Sequence, residues 1–82
     1  MLDAVFDPEE TRLEKAILAA HETDDRSALA RLYAWAGDLR ERTGEIDAAC
    51  FHLVHAYVYA LEAGAPEAEQ IRSRLAARGR EA

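Results

Sequence analysis

The chain has 82 residues, of which half are hydrophobic and about a third are charged, and it carries a net charge of −6 and one cysteine. This length predicts one domain, 1–82, and the composition excludes a disordered, collagen-like or low-complexity chain. One cysteine excludes an internal disulfide. We expect a cytoplasmic protein without a membrane partner, because no apolar run is long enough for a span and residues 1–4 lack a basic leader segment.

The charge is distributed unevenly along the chain. Residues 1–25 carry eight acidic and two basic side chains, which is the whole net charge, and residues 26–82 sum to zero. A net acidic chain repels phosphate backbones, so we expect no nucleic-acid partner. Near the C-terminus lie four arginines: Arg72, Arg74, Arg78 and Arg80. We interpret them as a solvated helix end whose cations suit the helix dipole, and contact with an anionic partner is the alternative.

The first two helices are indicated by their start signals and apolar spacing. Residues 1–6 are expected to be a flexible N-terminus, and Asp7 followed by Pro8 predicts a helix start. The stripe of this helix is Leu13, Ala16, Ile17 and Ala20. Residues 23–25 supply caps for a second helix at 26–42. Its stripe consists of Leu29, Leu32, Tyr33, Ala36 and Leu39, and Gly44 suits the left-handed position that ends it.

Two further helices follow, at 46–63 and 66–78. Gly64 closes the third, Pro66 opens the fourth and Gly79 ends it, which leaves a tail at 80–82. The fourth helix has few apolar residues: Ala68, Ile71 and Leu75. No segment shows the alternation of a β-strand. The sequence therefore predicts an all-α fold of about four helices in antiparallel hairpins.

The third helix is apolar over roughly 200° of its circumference. We expect the second helix to cover the side that contains Ile46, Ala49 and Leu53. The fourth helix offers only Ile71 and Leu75 as large apolar residues. That is little cover for Phe51, Val54, Val58 and Leu61. We therefore expect a homodimer or a protein partner to bind this helix; the alternative is a monomer in which Leu2, Val5 and Phe6 fold back over it.

Residues 33 to 56 carry large and small side chains at set positions of a hairpin. The second helix supplies Tyr33, Ala36 and Gly37, the turn supplies Gly44, and the third helix supplies Asp47, Ala49, Leu53 and Ala56. This pattern resembles a tetratricopeptide repeat. The resemblance implies two antiparallel helices and a protein-binding role. Helix crossing at Gly37 and Ala49 would be close, because a larger side chain there would force the helices apart.

The resemblance covers about 30 residues and departs from the family in several places. Arg40 stands where the family usually has tyrosine, Ala36 is smaller than the usual leucine, and Leu61 stands where a proline commonly closes the second helix of the repeat. No second copy appears at the 34-residue period. We therefore expect one repeat-like hairpin with a helix on each side, and the polar fourth helix would act as its cap.

The only group of residues that suggests chemistry is Cys50 with His52 and His55. The two histidines lie about 60° apart on the polar side of the helix and could share a metal, but Cys50 points toward the core. Zinc needs at least three protein ligands, so we expect no metal, no cofactor and a Cys50 that packs as a small buried hydrophobe. The carboxylate pairs at 9–10 and 24–25 resemble exposed caps rather than acid–base dyads. We predict no catalytic residue and no enzymatic activity.

Three polar aromatic side chains, His52, His55 and Tyr59, are predicted to form a surface patch on the third helix. Trp35 either covers the joint with the first helix or stands exposed as an interface anchor. The sequence thus predicts a small module that binds a protein, a peptide or a second copy of itself. One alternative is a structural subunit or stabilising partner of a larger complex. The other is a metal- or redox-responsive regulator that uses Cys50 and the two histidines.

Overall fold

A computed structural model describes residues 8–80, which fold into four helices and contain no strand. They are α1 (Pro8–Glu22), α2 (Arg26–Arg42), α3 (Ile46–Ala63) and α4 (Glu67–Ala77). The all-α prediction is confirmed, and the predicted bounds of the second and third helices are those observed. Pro66 stands as the N-cap of α4 rather than as its first residue. The predicted cap at Asp7, the flexible segment 1–6 and the tail beyond residue 80 lie outside the described residues.

The turns form where the sequence places cap residues. The Asp25 side chain accepts a hydrogen bond from the backbone N–H of Ala28 at 3.1 Å, which caps α2. At the next turn Gly44 has a φ of +77°, a left-handed conformation that a side chain would strain. The backbone N–H of Glu45 then donates to the carbonyl of Arg40 at 2.9 Å. This closure reverses the chain, so that α3 runs back along α2.

The α2–α3 hairpin is the centre of the fold, and α3 faces α2 with small side chains. Ala49, Leu53, Ala56 and Ala60 have no solvent exposure at all. A Cβ atom added at Gly37 would lie 3.0 Å from the Leu53 side chain and 3.3 Å from the carbonyl oxygen of Ala49. The expected close crossing at Gly37 is therefore present, and Leu53 is its tightest contact. The family resemblance itself stays a prediction.

Helix α1 packs on α2 through a few buried apolar side chains and a group of polar contacts. Leu13 and Ala20 of α1 are buried, as are Leu29 and Ala36 of α2. In this polar group Trp35 Nε1 donates to Glu9 Oε2 at 2.6 Å, Arg40 pairs with Glu10, and Arg42 pairs with Glu9 at 3.3 Å. Arginines of α2 thus offset part of the acidic excess of the N-terminal third.

Helix α4 covers one flank of the hairpin. Its two large apolar residues, Ile71 and Leu75, join the core beside Ala30 and Cys50. Arg74 of α4 reaches α2, where it pairs with Asp38 at 2.6 Å and Glu41 at 3.0 Å. The other C-terminal arginines also have acidic partners: Arg72 pairs with Glu69, Arg78 with Glu41 and Arg80 with Asp47. The four arginines therefore each have an acidic partner within the chain while staying partly exposed, and their interpretation as a solvated helix end stays a prediction.

Candidate interaction surface on helix α3

Four large apolar side chains lie exposed in a line along α3. Phe51 is 62% exposed, Val54 46%, Val58 45% and Leu61 55%. We call these four residues the α3 row. Helix α4 leaves them uncovered because Ile71 and Leu75 are both used in the core. The expectation that α4 covers this flank poorly is confirmed, and the interaction role of the row stays a prediction. The rival cover, by Leu2, Val5 and Phe6, lies outside the described residues.

The spacing of the row is that of a helix-pairing seam. Its members follow one another at intervals of three, four and three residues, so Phe51 and Val58 occupy a positions and Val54 and Leu61 occupy d positions of two heptads. A strict a/d line is narrower than the apolar face with which a helix usually meets a protein core. The core face of α3 is a separate one, formed by Ala49, Leu53, Ala56 and Ala60. The helix thus presents two apolar faces, of which one is already packed.

Ion pairs stand at both ends of the α3 row. At the N-terminal end Arg80 donates to Asp47 at 2.7 Å. At the C-terminal end Arg26 lies 3.6 Å from Glu62 and 3.3 Å from Asp24. An apolar centre with a polar rim is the usual composition of a protein interface.

Two shallow grooves border the row. A groove of about 400 Å³ lies beside Val54 and Val58, and it is lined also by Asp24, Arg26, His55, Tyr59 and Glu62. A second groove, of about 320 Å³, lies beside Phe51 and Val54 and is lined also by Asp47, Cys50, His55 and Arg80. Both grooves open widely to solvent. The row therefore stands as a ridge, with one groove toward each of its ends and room there for the side chains of a partner.

Phe51 of the row also belongs to a cluster of six aromatic side chains from α1, α2 and α3: His21, Tyr33, Phe51, His52, His55 and Tyr59. The rings of Tyr33 and Tyr59 stack with centroids 5.8 Å apart, and those of Tyr33 and His55 stack at 5.2 Å. Phe51 meets His55 edge-on at 4.7 Å. His21 Nε2 and the Tyr33 hydroxyl lie 3.1 Å apart and form a hydrogen bond. The cluster joins the three helices and supports the ring of Phe51 from behind.

Sequence reasoning found half of this cluster. The patch of His52, His55 and Tyr59 was expected, but its contacts with Tyr33 and His21 were not. A signal for Tyr33 was present, because Tyr33 and His55 are equally far in sequence from Gly44 and antiparallel packing brings them level. The position of His21 depends on the angle of the α1–α2 turn, where Asp24 adopts a left-handed φ of +53°, and no sequence pattern predicts that angle.

His52 is partly buried rather than solvated, which corrects the expected surface position. Its Nδ1 atom is buried without a hydrogen-bond partner. Burial, followed by the nearby charges of Arg40 and His55, lowers the pKa of His52 below its ordinary value. The ring lies beside a small cavity of about 90 Å³, whose other lining residues include Glu10 and Arg40. His52 therefore packs as a partly buried side chain, and the lowered pKa favours its neutral form.

The residues considered for chemistry are not gathered into one site. Cys50 is buried on the α4 side of α3, so its prediction as a small buried hydrophobe is confirmed. Within the described part of the chain, no three His, Cys, Asp or Glu side chains are grouped so that they could hold a metal ion. Trp35 lies half-buried against α1, where it donates to Glu9, and that is the position expected for a residue covering the joint.

A scan against protein-family models and searches of curated proteins and of solved structures find no significant match to this chain. Among residues 8–80, no helix combines the length and the apolarity that crossing a bilayer requires.

Proposed function

We propose that the chain is a non-enzymatic, tetratricopeptide-like interaction module that binds a helix of a protein partner through the α3 row. The observation that carries this proposal is the exposure of four large apolar side chains in one line on a helix whose other apolar face is fully buried. Fully burying a valine, leucine or phenylalanine stabilises a protein by about 1.5–3 kcal/mol. At half exposure each member of the row forgoes about 1 kcal/mol, which a partner would recover.

The surroundings of the row support binding rather than catalysis. Its nearest carboxylates, Asp47, Glu62 and Asp24, are held by Arg80 and Arg26. Such pairs suit a polar rim that orients a partner, whereas a general acid or base must be free to exchange a proton in a sheltered cleft. Both grooves beside the row are open, so they offer a docking surface and little exclusion of water.

The kind of partner follows from the shape of the surface. A narrow ridge with 3–4–3 spacing matches the apolar stripe of another amphipathic helix, whose side chains would enter the two flanking grooves. A flat or strand-like partner would leave those grooves empty. We therefore expect a helix rather than an extended peptide to bind.

The experiment compares the wild-type chain with Val58→Glu and Leu18→Glu in capture and cross-linking from the native host. Leu18 is the matched control, because it is an exposed leucine on α1 whose neighbours in a surface depression are Glu14 and Ile17. We expect Val58→Glu to lose the bound protein, a second copy included, since an interface that buries an unpaired carboxylate is strongly weakened. Leu18→Glu should retain it. Equal binding by all three proteins would overturn the proposed function.

A further inference from the structure

We propose that the helix bound by the α3 row is the same helix of a second copy, running antiparallel to the first. This inference rests on the proposed function and narrows it from a helical partner to a symmetric homodimer. Three properties of the row support it: its spacing, the order of its side-chain sizes and the charges at its ends.

The row reads the same in both directions. Its intervals of three, four and three residues are a palindrome, and so is the order of bulk, with Phe51 and Leu61 outside and two valines inside. A two-fold axis at the level of Ala56 would therefore place Phe51 opposite Leu61 of the second copy. It would likewise place Val54 opposite Val58. An isologous interface requires this kind of self-complementarity.

The sizes of the four side chains in the row suit two α3 helices that cross at an angle. The valines would lie at the crossing point, where the helix axes are closest, and the larger Phe51 and Leu61 would fill the space where the axes diverge. The aromatic cluster fixes Phe51 for this role, because its ring already rests on His55. Less side-chain entropy is then lost when the interface forms.

The charges favour the antiparallel direction. The row carries no ionised side chain between the Asp47–Arg80 pair at one end and the Glu62–Arg26 pair at the other. An antiparallel partner brings the neutral Asp47–Arg80 pair of one copy toward the C-terminal end of the other, where Asp24 and Glu62 share Arg26, and it also opposes the two helix dipoles favourably. A parallel partner would bring the two acidic C-terminal ends together. The net charge of −6 per chain opposes either dimer, so the apolar row must supply the attraction.

The area of the row sets the expected affinity. Four half-exposed side chains present on the order of a few hundred Å² per copy, which is below the roughly 800 Å² per partner of a standard interface. We therefore expect a reversible dimer with a dissociation constant in the micromolar range.

The first test is the mass in solution. Sedimentation equilibrium of the full chain, from low micromolar to several hundred micromolar, should show a mass that rises from 9.1 kDa toward twice that value. Val58→Glu should weaken the dimer by at least about tenfold and Leu18→Glu should leave it unchanged, because only the former buries a charge in the seam. Far-UV circular dichroism checks that both variants remain helical. Leu61→Ser is a second variant that should weaken the dimer without adding a charge.

The second test determines whether the two α3 helices pair antiparallel or parallel. In a Cys50→Ala background, Phe51→Cys and Leu61→Cys are prepared separately and then mixed under mild oxidation. Antiparallel pairing should give a disulfide mainly between the two different chains, since a disulfide needs Cα atoms within about 7 Å. In that arrangement the two copies of position 51 lie about 15 Å apart along the helices.

The outcomes separate the two proposals. The antiparallel homodimer is overturned if the mass stays at 9.1 kDa at every concentration. It is also overturned if Phe51→Cys alone forms a disulfide as fast as the mixture does. The proposed function survives that result if Val58→Glu abolishes binding to another protein. Both proposals fail if substitutions in the α3 row alter neither self-association nor the binding of any partner.

Discussion

Helix α3 has two apolar faces, and the buried face has the smaller side chains, which is the reverse of the usual arrangement. The face toward α2 is made mainly of alanines and is completely buried, whereas the face toward solvent carries Phe51, Val54, Val58 and Leu61. Burial here depends on how closely the neighbouring helix approaches, not on how hydrophobic a side chain is. At Gly37 the helices are near enough that even a Cβ would press on Leu53, so no larger residue fits at position 37.

The two faces therefore differ in what they contribute to the stability of the chain. The small face provides the close packing on which an 82-residue chain depends for its stability. The large face contributes little to the isolated chain, and its apolar area stays available for another helix. Substitutions that are identical in chemistry should therefore have very different effects on the two faces.

The largest expected effect contrasts two leucines of α3. Leu53→Ala should lower the free energy of unfolding by about 2–5 kcal/mol, because it leaves a cavity in the α2–α3 hairpin. Leu61→Ala, the same change on the exposed face, should alter it by less than about 0.5 kcal/mol in dilute solution. Urea titrations at low micromolar concentration measure both. Similar losses for the two variants would contradict the two-face description.

The next largest effect tests how closely α2 and α3 cross at Gly37. Gly37→Leu should lower the free energy of unfolding by about 1–3 kcal/mol, even though leucine is the better helix former, because Leu53 and the Ala49 backbone leave no space. Ala19→Leu adds a leucine at an exposed position of α1 and should change stability little. Thermal melts monitored at 222 nm compare the two, and a Gly37→Leu protein that melts with the wild type would show that the crossing is loose.

The smallest effect concerns His52 and pH. Its pKa is lowered in the folded protein by burial and then by Arg40 and His55, so the unfolded chain binds a proton more readily than the folded chain. The stability of the wild type should therefore fall as the pH drops through the unfolded value of 6.5 toward the folded pKa. His52→Gln should lose this part of the pH dependence. Melts between about pH 7.5 and pH 5.5 measure the difference, and parallel curves would place His52 in solvent.

Several features of the α3 row could be predicted from the sequence because they depend on local spacing and composition. The third helix has more apolar circumference than its neighbours can cover, and the fourth helix offers only Ile71 and Leu75. That comparison alone indicated that the fourth helix would leave Phe51, Val54, Val58 and Leu61 poorly covered. Patterns of this kind need only a helical period and a count of large side chains.

Other features could not be predicted, because they join residues that are far apart in the chain. Arg80 meets Asp47, and Arg26 meets Glu62. From the sequence, Arg80 was one of four C-terminal arginines and Asp47 a position of the repeat-like hairpin, and nothing indicated that any of these residues would pair. Trp35 had two possible positions, and the contact with Glu9 decided between them. Long-range polar contacts of this kind depend on helix crossing angles, which side-chain shapes set jointly.

The sequence by itself determined four helices, their caps and turns, and the excess of apolar surface on the third, because each of these follows from short-range conformational preference and periodicity. Only the tertiary structure decided how closely α2 and α3 approach and which residues stand at the two ends of the α3 row. The close approach depends on Gly37, whose missing side chain leaves room for Leu53, and the turns bring the arginines of α2 and the C-terminus to the two ends of the α3 row.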